Sequence, residues 1–356
     1  MLARTIFSLV KIFQHCFLYI QIPKKTLCSS LLFFNFALVR AGYVFDRSTK
    51  VLISTRKAAA LLVQNAVGSN GDGALCYCIV PVKLMSASIP SIDRLKEQMK
   101  TTWMAGDFGQ IAKYTEAEAE SFIERLDIRS GMKVLDVACG TGNLSLPAAR
   151  KGAQVIGVDI ATNLIEQARA RASAEELPAE FRLGDAEQLP FQNEQFDVIV
   201  SMFGAMFAPR PELVASELVR VCCPGGLVAM ANWTPEGFVG KSFALTSRHV
   251  PPPEGIEPPV LWGKEEVVKE RFARVGWKVE TTRRDAEIKY PFGGAAVVQF
   301  FRQYFGPTQA AFSRLDEAGQ SALAADLEKL WTEHNQGPAN QMHVKAEYLE
   351  VRASKA

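Results

Sequence analysis

The feature that most constrains this chain is a short apolar run, Lys133–Val137, that turns at once through Asp136-Val137-Ala138-Cys139-Gly140-Thr141-Gly142 into a helical pattern. Small residues at 138, 140 and 142 let the backbone bend sharply and approach a ligand without a Cβ in the way. The same arrangement recurs downstream. Gln154–Asp159 (QVIGVD) is a second apolar run ending in an acid, and Glu180–Leu183 is a third, followed by Gly184-Asp185. Phe196–Ser201 (FDVIVS) and Leu227–Trp233 (LVAMANW) are a fourth and a fifth. Helical patterns separate them: Leu144 to Lys151, closed by Gly152; a helix capped by Thr162 with Ile165, Ala168 and Ala172 on one side; and Glu212–Cys222, broken by Pro224-Gly225-Gly226. Near-continuous Val/Ile/Leu strands alternating with amphipathic helices require a parallel sheet covered on both faces. The handedness of such crossovers then makes the sheet doubly wound.

The flanks are less regular. Thr115 followed by Glu118 is a capping-box signature, with Ala119, Phe122, Ile123 and Leu126 on one face behind it. Residues 235–262, rich in Pro and Gly, read as a loop insertion on the substrate side. A helix is expected over Lys264–Val275, one or two strands over Trp277–Tyr290, a helical insertion over 294–335, and a last strand over Val344–Val351.

Charge divides the chain where motif content does. Residues 1–84 carry ten Lys/Arg and two acids, whereas the rest carries 30 Lys/Arg and 36 Asp/Glu. Stretches 1–20 and 27–39 are apolar, and the second is too short for the ~20 residues of a spanning helix. From 40 to 84 no sustained period is found. Three readings of residues 1–84 stand open: a membrane anchor, a targeting segment, or an over-extended start, the last being favoured. Membrane contact, if any, falls to residues 1–39. Residues 85–356 form the expected catalytic domain, and its net negative charge argues against nucleic acid as partner. Its three cysteines (139, 222 and 223) have neither disulfide-framework nor zinc spacing, so no metal is expected and a reducing, cytoplasmic setting is.

Ligands of open α/β sheets bind at the carboxyl ends of strands. Asp136, Asp159, Asp185 and Ser201-Met202-Phe203 occupy four such ends in order. Asp159 suits a ribose, and Asp185 can reach an adenine amino group. A nicotinamide oxidoreductase is the rival reading, but it wants a third loop glycine where this chain has Ser145, and Arg or Lys is absent from residues 138–149.

VLDVACGTGN, VIGVDIA, GDAEQLPF, FDVIVSMFGAMF and RVCCPGGLVAMANW together resemble successive motifs of the class I S-adenosylmethionine-dependent methyltransferases, in the type 11 group that includes ubiquinone and menaquinone biosynthesis enzymes. The resemblance runs from about Trp103 to the end and implies strand order 3-2-1-4-5-7-6 with the last strand antiparallel. It also implies that Asp136 and the backbone of Ala138, Cys139, Gly140, Thr141 and Gly142 hold the methionine portion of S-adenosyl-L-methionine. Asp159, with Ile160 beside it, would take the ribose, and Asp185 and Ala186 the adenine. Ser201 would flank the reactive end. Ala138 stands where many relatives have glycine. Trp103, Phe108 and Tyr114 fall where the family's N-terminal segment closes over the cofactor.

Methyl transfer from a sulfonium needs an in-line nucleophile rather than a dedicated base, so positioning can carry much of the rate. His249, in the Pro-rich insertion, is the one candidate base. Trp103, Met202, Phe203, Met206, Phe207, Trp233 and Tyr304 are candidates for an apolar pocket for a small-molecule acceptor, quinone-like or otherwise apolar. A cofactor-binding protein without catalysis is the remaining alternative.

Overall fold

A computed structural model of the chain describes residues 51–55, 58–66, 75–82, 92–253 and 255–355. The chain separates into two compact units, Met1–Ser88 and Ile89–Ala356. Residues 1–39, with the anchor and targeting readings that rest on them, lie outside the described residues.

In the first unit β1 (Val51–Thr55), β2 (Ala58–Ala66) and β3 (Leu75–Val82) form an antiparallel meander in the order β1-β2-β3. No strand was expected there. AAALLV and LCYCIV are unbroken apolar runs, which show no period of two.

The second unit opens with α1 (Ile92–Met104), α2 (Phe108–Ala112) and α3 (Glu116–Arg125). The alternating segment follows: β4 (Lys133–Val137), α4 (Ser145–Arg150), β5 (Gln154–Asp159), α5 (Thr162–Ala174), β6 (Ala179–Leu183), β7 (Phe196–Met202), α6 (Pro211–Val221) and β8 (Cys222–Trp233). Then come α7 (Phe238–His249), α8 (Glu265–Arg274), β9 (Trp277–Tyr290), α9 (Gly294–Tyr304), α10 (Gly306–Ser313), α11 (Glu317–His334) and β10 (Met342–Lys355). Seven strands make one sheet in the order β6-β5-β4-β7-β8-β10-β9, the expected 3-2-1-4-5-7-6. The five from β6 to β8 are parallel, and β10 runs antiparallel to both its neighbours.

Burial explains the order. Val134, Leu135 and Val137 of β4 and Ile199 and Val200 of β7 are fully buried, as central strands covered on both faces must be. Edge strand β6 buries only Phe181, which packs with Leu146, Ile165 and Ala168 of α4 and α5. The strand sequence reverses direction between β4 and β7, so their carboxyl ends flank the switch-point crevice.

Several local expectations differ from the structure. Thr115 does precede α3, but its hydroxyl donates to the Ala112 carbonyl (3.0 Å) and no capping box forms, because Glu118 instead meets Arg125 and Tyr348. Thr162 is the first residue of α5 and not its cap; Ala161 holds the cap position without a side-chain cap bond, its own N–H donating to Asp159 Oδ1 at 2.9 Å. The 235–262 segment is not merely a loop: it holds α7 and a 3-10 turn at Pro259–Gly263. The helical insertion over 294–335 consists of three helices. α9 packs on α2 and α10 on α1, which roofs the crevice. Among the described residues no helix is long and apolar enough to cross a membrane.

Candidate active site

The loop after β4 is built on left-handed backbone. Ala138, Gly140 and Gly142 have φ of 56°, 54° and 85°. Cys139 N–H reaches across to the Val158 carbonyl (3.0 Å), and Gly142 N–H closes the turn on the Cys139 carbonyl (2.9 Å). Arg171 of α5 ties the far side of the loop, donating to the Thr141 carbonyl (3.0 Å) and to Asn143 Oδ1 (2.7 Å). Ala138 accepts a conformation that favours glycine, a strain of about 1–2 kcal/mol for a residue with a Cβ. Its carbonyl and Cβ also crowd Gly204, where a side chain would come within 2.5 Å of the Ala138 oxygen.

The acids at the strand ends are held as follows. Asp136 is buried and its Oδ2 accepts the Ser145 hydroxyl at 2.6 Å. Serine at the third loop position, which departs from a glycine-rich dinucleotide loop, therefore serves the carboxylate. Burial pushes the Asp136 carboxyl up to about 7; Ser145 opposes that shift and neighbouring Asp159 adds to it. Asp159 is buried too, and burial raises its carboxyl against the pull of the Ala161, Gly140 and Ile160 N–H groups. Its Oδ2 accepts the Gly140 N–H at 2.9 Å, so this acid also shapes the loop. Burial drives the Cys139 thiol well above its ordinary range, which leaves it un-ionised and removes it as a nucleophile.

A cavity of about 140 Å³ runs along these strand ends. Asp136, Ala138, Cys139, Gly140 and Thr141 of the first strand end line it together with Asp159, Ile160, Asp185 and Ala186 of the next two. Gly142 and Ser201 do not line it. Gly142 turns the backbone and packs on Phe181. Ser201 is buried, donating to the Val137 carbonyl (2.7 Å) and accepting the Ala205 N–H (3.1 Å), so it fastens the end of β7 to the end of β4. Its nearness to a strand end was legible; its inward direction was not.

Lys96 is the site residue that the sequence did not reveal. From α1 its Nζ lies 2.5 Å from both Asp185 Oδ2 and Glu187 Oε2, and Met99 and Trp103 of the same helix line the cavity with it. Glu187 is buried and also pairs with Arg210 at 2.7 Å. A lysine 89 positions before its partner carries no local signal. Asn143, the end of the loop motif, also lines the cavity, and so does Thr115, which was not expected there.

A second cavity, about 700 Å³, adjoins the first. Trp103, Phe108, Thr115, Phe203 and Phe207 line both. Phe203 has φ of 55° and stacks on Trp233 with ring centroids 3.5 Å apart, which places the indole in the wall of the larger cavity. Met202 lines the smaller one. Two expected pocket residues, Met206 and Tyr304, lie elsewhere, as does Tyr114, which was expected over the cofactor. Met206 is core, Tyr114 packs on Tyr290, and Tyr304 packs on Phe300 while its carbonyl accepts the Asp107 N–H. His249 lines neither cavity: its Nε2 pairs with Asp326 of α11 at 2.8 Å, at the far end of α7. It is no candidate for a base.

The smaller cavity is lined by more acids than bases. Three carboxylates, Asp136, Asp159 and Asp185, face one ammonium, Lys96. A pyrophosphate would meet repulsion there, whereas a sulfonium with an α-ammonium group meets opposite charge.

Comparison with known proteins agrees. Residues 135–230 match the family model described as a methyltransferase domain. An uncharacterized protein of Mycobacterium tuberculosis is 34% identical over 258 residues, covering 72% of this chain and 93% of that one. A phosphatidylethanolamine N-methyltransferase of Cereibacter sphaeroides is 38% identical over 134 residues, 36% of this chain and 64% of the relative. Among solved structures, that of a putative methyltransferase from Bacillus halodurans has 17% identity and a TM-score of 0.49, over 67% of this chain and 99% of the other. The chain belongs to the class I S-adenosylmethionine-dependent methyltransferases. Its cofactor is S-adenosyl-L-methionine, and the nicotinamide reading falls away.

Proposed function

We propose that the enzyme methylates a small, predominantly apolar molecule, a quinone-like ring system being one such acceptor, and that the larger cavity holds it. The observation that carries this reading is the cavity of about 700 Å³ that meets the cofactor cavity at Trp103, Phe108, Phe203 and Phe207. The bound cofactor supplies an electrophilic methyl group on sulfur. Asp136, Asp159 and Asp185 hold that cofactor through its cationic and hydroxyl groups. Trp103 and Phe108 cover it, and Phe203 and Phe207 exclude water from the junction. No histidine or carboxylate stands among the five residues shared by the two cavities. Catalysis thus rests on orientation, which supplies about 7–11 kcal/mol in favourable intramolecular cases, and the acceptor brings its own nucleophilic atom. The free thiols of Cys139, Cys222 and Cys223 support a reducing, cytoplasmic setting.

The test is an acceptor search. The full chain is incubated with methyl-labelled cofactor and an organic-extractable metabolite fraction, beside polar metabolites, peptides and RNA. Label in the extractable fraction alone is the expected result. Label confined to polar or macromolecular fractions would overturn the apolar acceptor, and tight cofactor binding without turnover in any fraction would favour a non-catalytic binder.

A further inference from the structure

The wall of the larger cavity is aromatic and aliphatic over most of its extent, and two charged residues interrupt it, Glu257 and Lys264. They are not equivalent. Glu257 Oε2 is neutralised by the buried Arg271 guanidinium at 2.5 Å, and that guanidinium is itself stacked over Trp262 at 4.6 Å. Lys264 is half-buried between the 3-10 turn at Pro259–Gly263 and α8, and among the described residues its ammonium has no ion-pair or hydrogen-bonding partner. The nearest acids in sequence, Glu265 and Glu266, do not supply one, since Glu265 is engaged by Lys269 at 2.5 Å. Among the described residues, therefore, the one charge in this wall without a partner is a cation. An ammonium at a low-dielectric wall gains most from a charge-assisted bond to an anion, and a ligand with an apolar body leaves the rest of the wall satisfied.

Resting on the reading of this cavity as the acceptor site, we propose that the acceptor is an amphiphile with a single acidic group, a carboxylate or a phosphate ester, that pairs with Lys264. The apolar body fills the space between α7, α9 and α10. Lys264 is then a specificity residue: it anchors the acidic end of the molecule and selects against neutral and cationic analogues.

The experiment uses the full chain saturated with S-adenosylhomocysteine and four probes that share one alkyl chain: dodecanoate, dodecyl phosphate, dodecanol and dodecylamine. Binding is read by calorimetry below the concentration at which each probe aggregates. One or both acids should bind about tenfold more tightly than dodecanol, the scale of a charge-assisted bond, with dodecylamine weakest. Which acid does so distinguishes carboxylate from phosphate. In Lys264→Met the acids should fall to the dodecanol value while S-adenosylhomocysteine affinity stays unchanged, which also shows that the variant is folded. Equal binding of acids and alcohol by the wild type overturns the proposal, as does an acid preference that survives Lys264→Met or a failure of all four probes to bind. In each of those cases intact S-adenosylhomocysteine binding leaves the methyltransferase reading standing.

Discussion

Asp136 shows how one residue links fold stability to cofactor binding. Burial lifts its carboxyl from an ordinary value of 3.8 to about 7. Between those values the folded protein keeps a proton that the unfolded chain has lost, so stability falls as pH rises through that window and the full penalty stands above it. Asp136→Asn should therefore raise the melting temperature of the cofactor-free protein at pH 8, with the gain vanishing near pH 4; a pH series of thermal melts checks this. The ionised carboxylate is also what a cationic ligand needs. Cofactor affinity of the wild type should weaken as pH falls below about 7, and the Asn variant should lose about tenfold or more at pH 8 by calorimetry, the scale of a bond to a charged group. Much at this scale was legible. Asp136, Asp159 and Asp185 announce themselves because each ends an apolar run. The inward turn of Ser201, the pairing of His249 with Asp326 and the placement of Lys96 were not, since each depends on an element remote in sequence.

At the scale of elements, the slipped last strand organises the far half of the sheet. β10 pairs with all fourteen residues of β9, from Met342↔Tyr290 to Lys355↔Trp277, and with β8 from Tyr348↔Trp233 to Ala353↔Val228. One buried acid knits this region together: Glu350 accepts from Arg125 of α3 (2.9 Å), Arg284 of β9 (2.6 Å) and Arg352 (3.2 Å). Glu350→Ala should destabilise the protein by about 2 kcal/mol, less than the ~3–5 of a fully buried broken pair because the arginines stay partly wetted. Urea denaturation measures it, and an unchanged midpoint would refute the role. A strand was readable in Val344–Val351; its insertion between β8 and β9 followed only from a family resemblance. Periodicity marks which residues are buried, not which strand they lie against.

At the scale of the whole molecule, the chain is two compact units, and every residue placed at the site belongs to the one from Ile89 onward. The charge asymmetry follows nearly the same boundary, with the basic excess before residue 85. Residues 89–356 produced alone should fold cooperatively and bind S-adenosylhomocysteine with the affinity of the full chain, read by calorimetry beside a thermal melt. A truncated protein that melts early or fails to bind would show that the first unit supports the second.

By itself the sequence determined the alternation of apolar strands and helices, the sharp small-residue turn after β4 and the acids at the strand ends, and its resemblance to a known family indicated the methyl donor. Those are local properties, set by the spacing of side chains along one segment. The tertiary structure alone decided that Lys96 closes on Asp185, that Trp103, Phe108, Phe203 and Phe207 join two cavities, and that the Lys264 ammonium has no partner among the described residues. Such contacts join residues far apart along the chain, and only packing brings them within reach of one another.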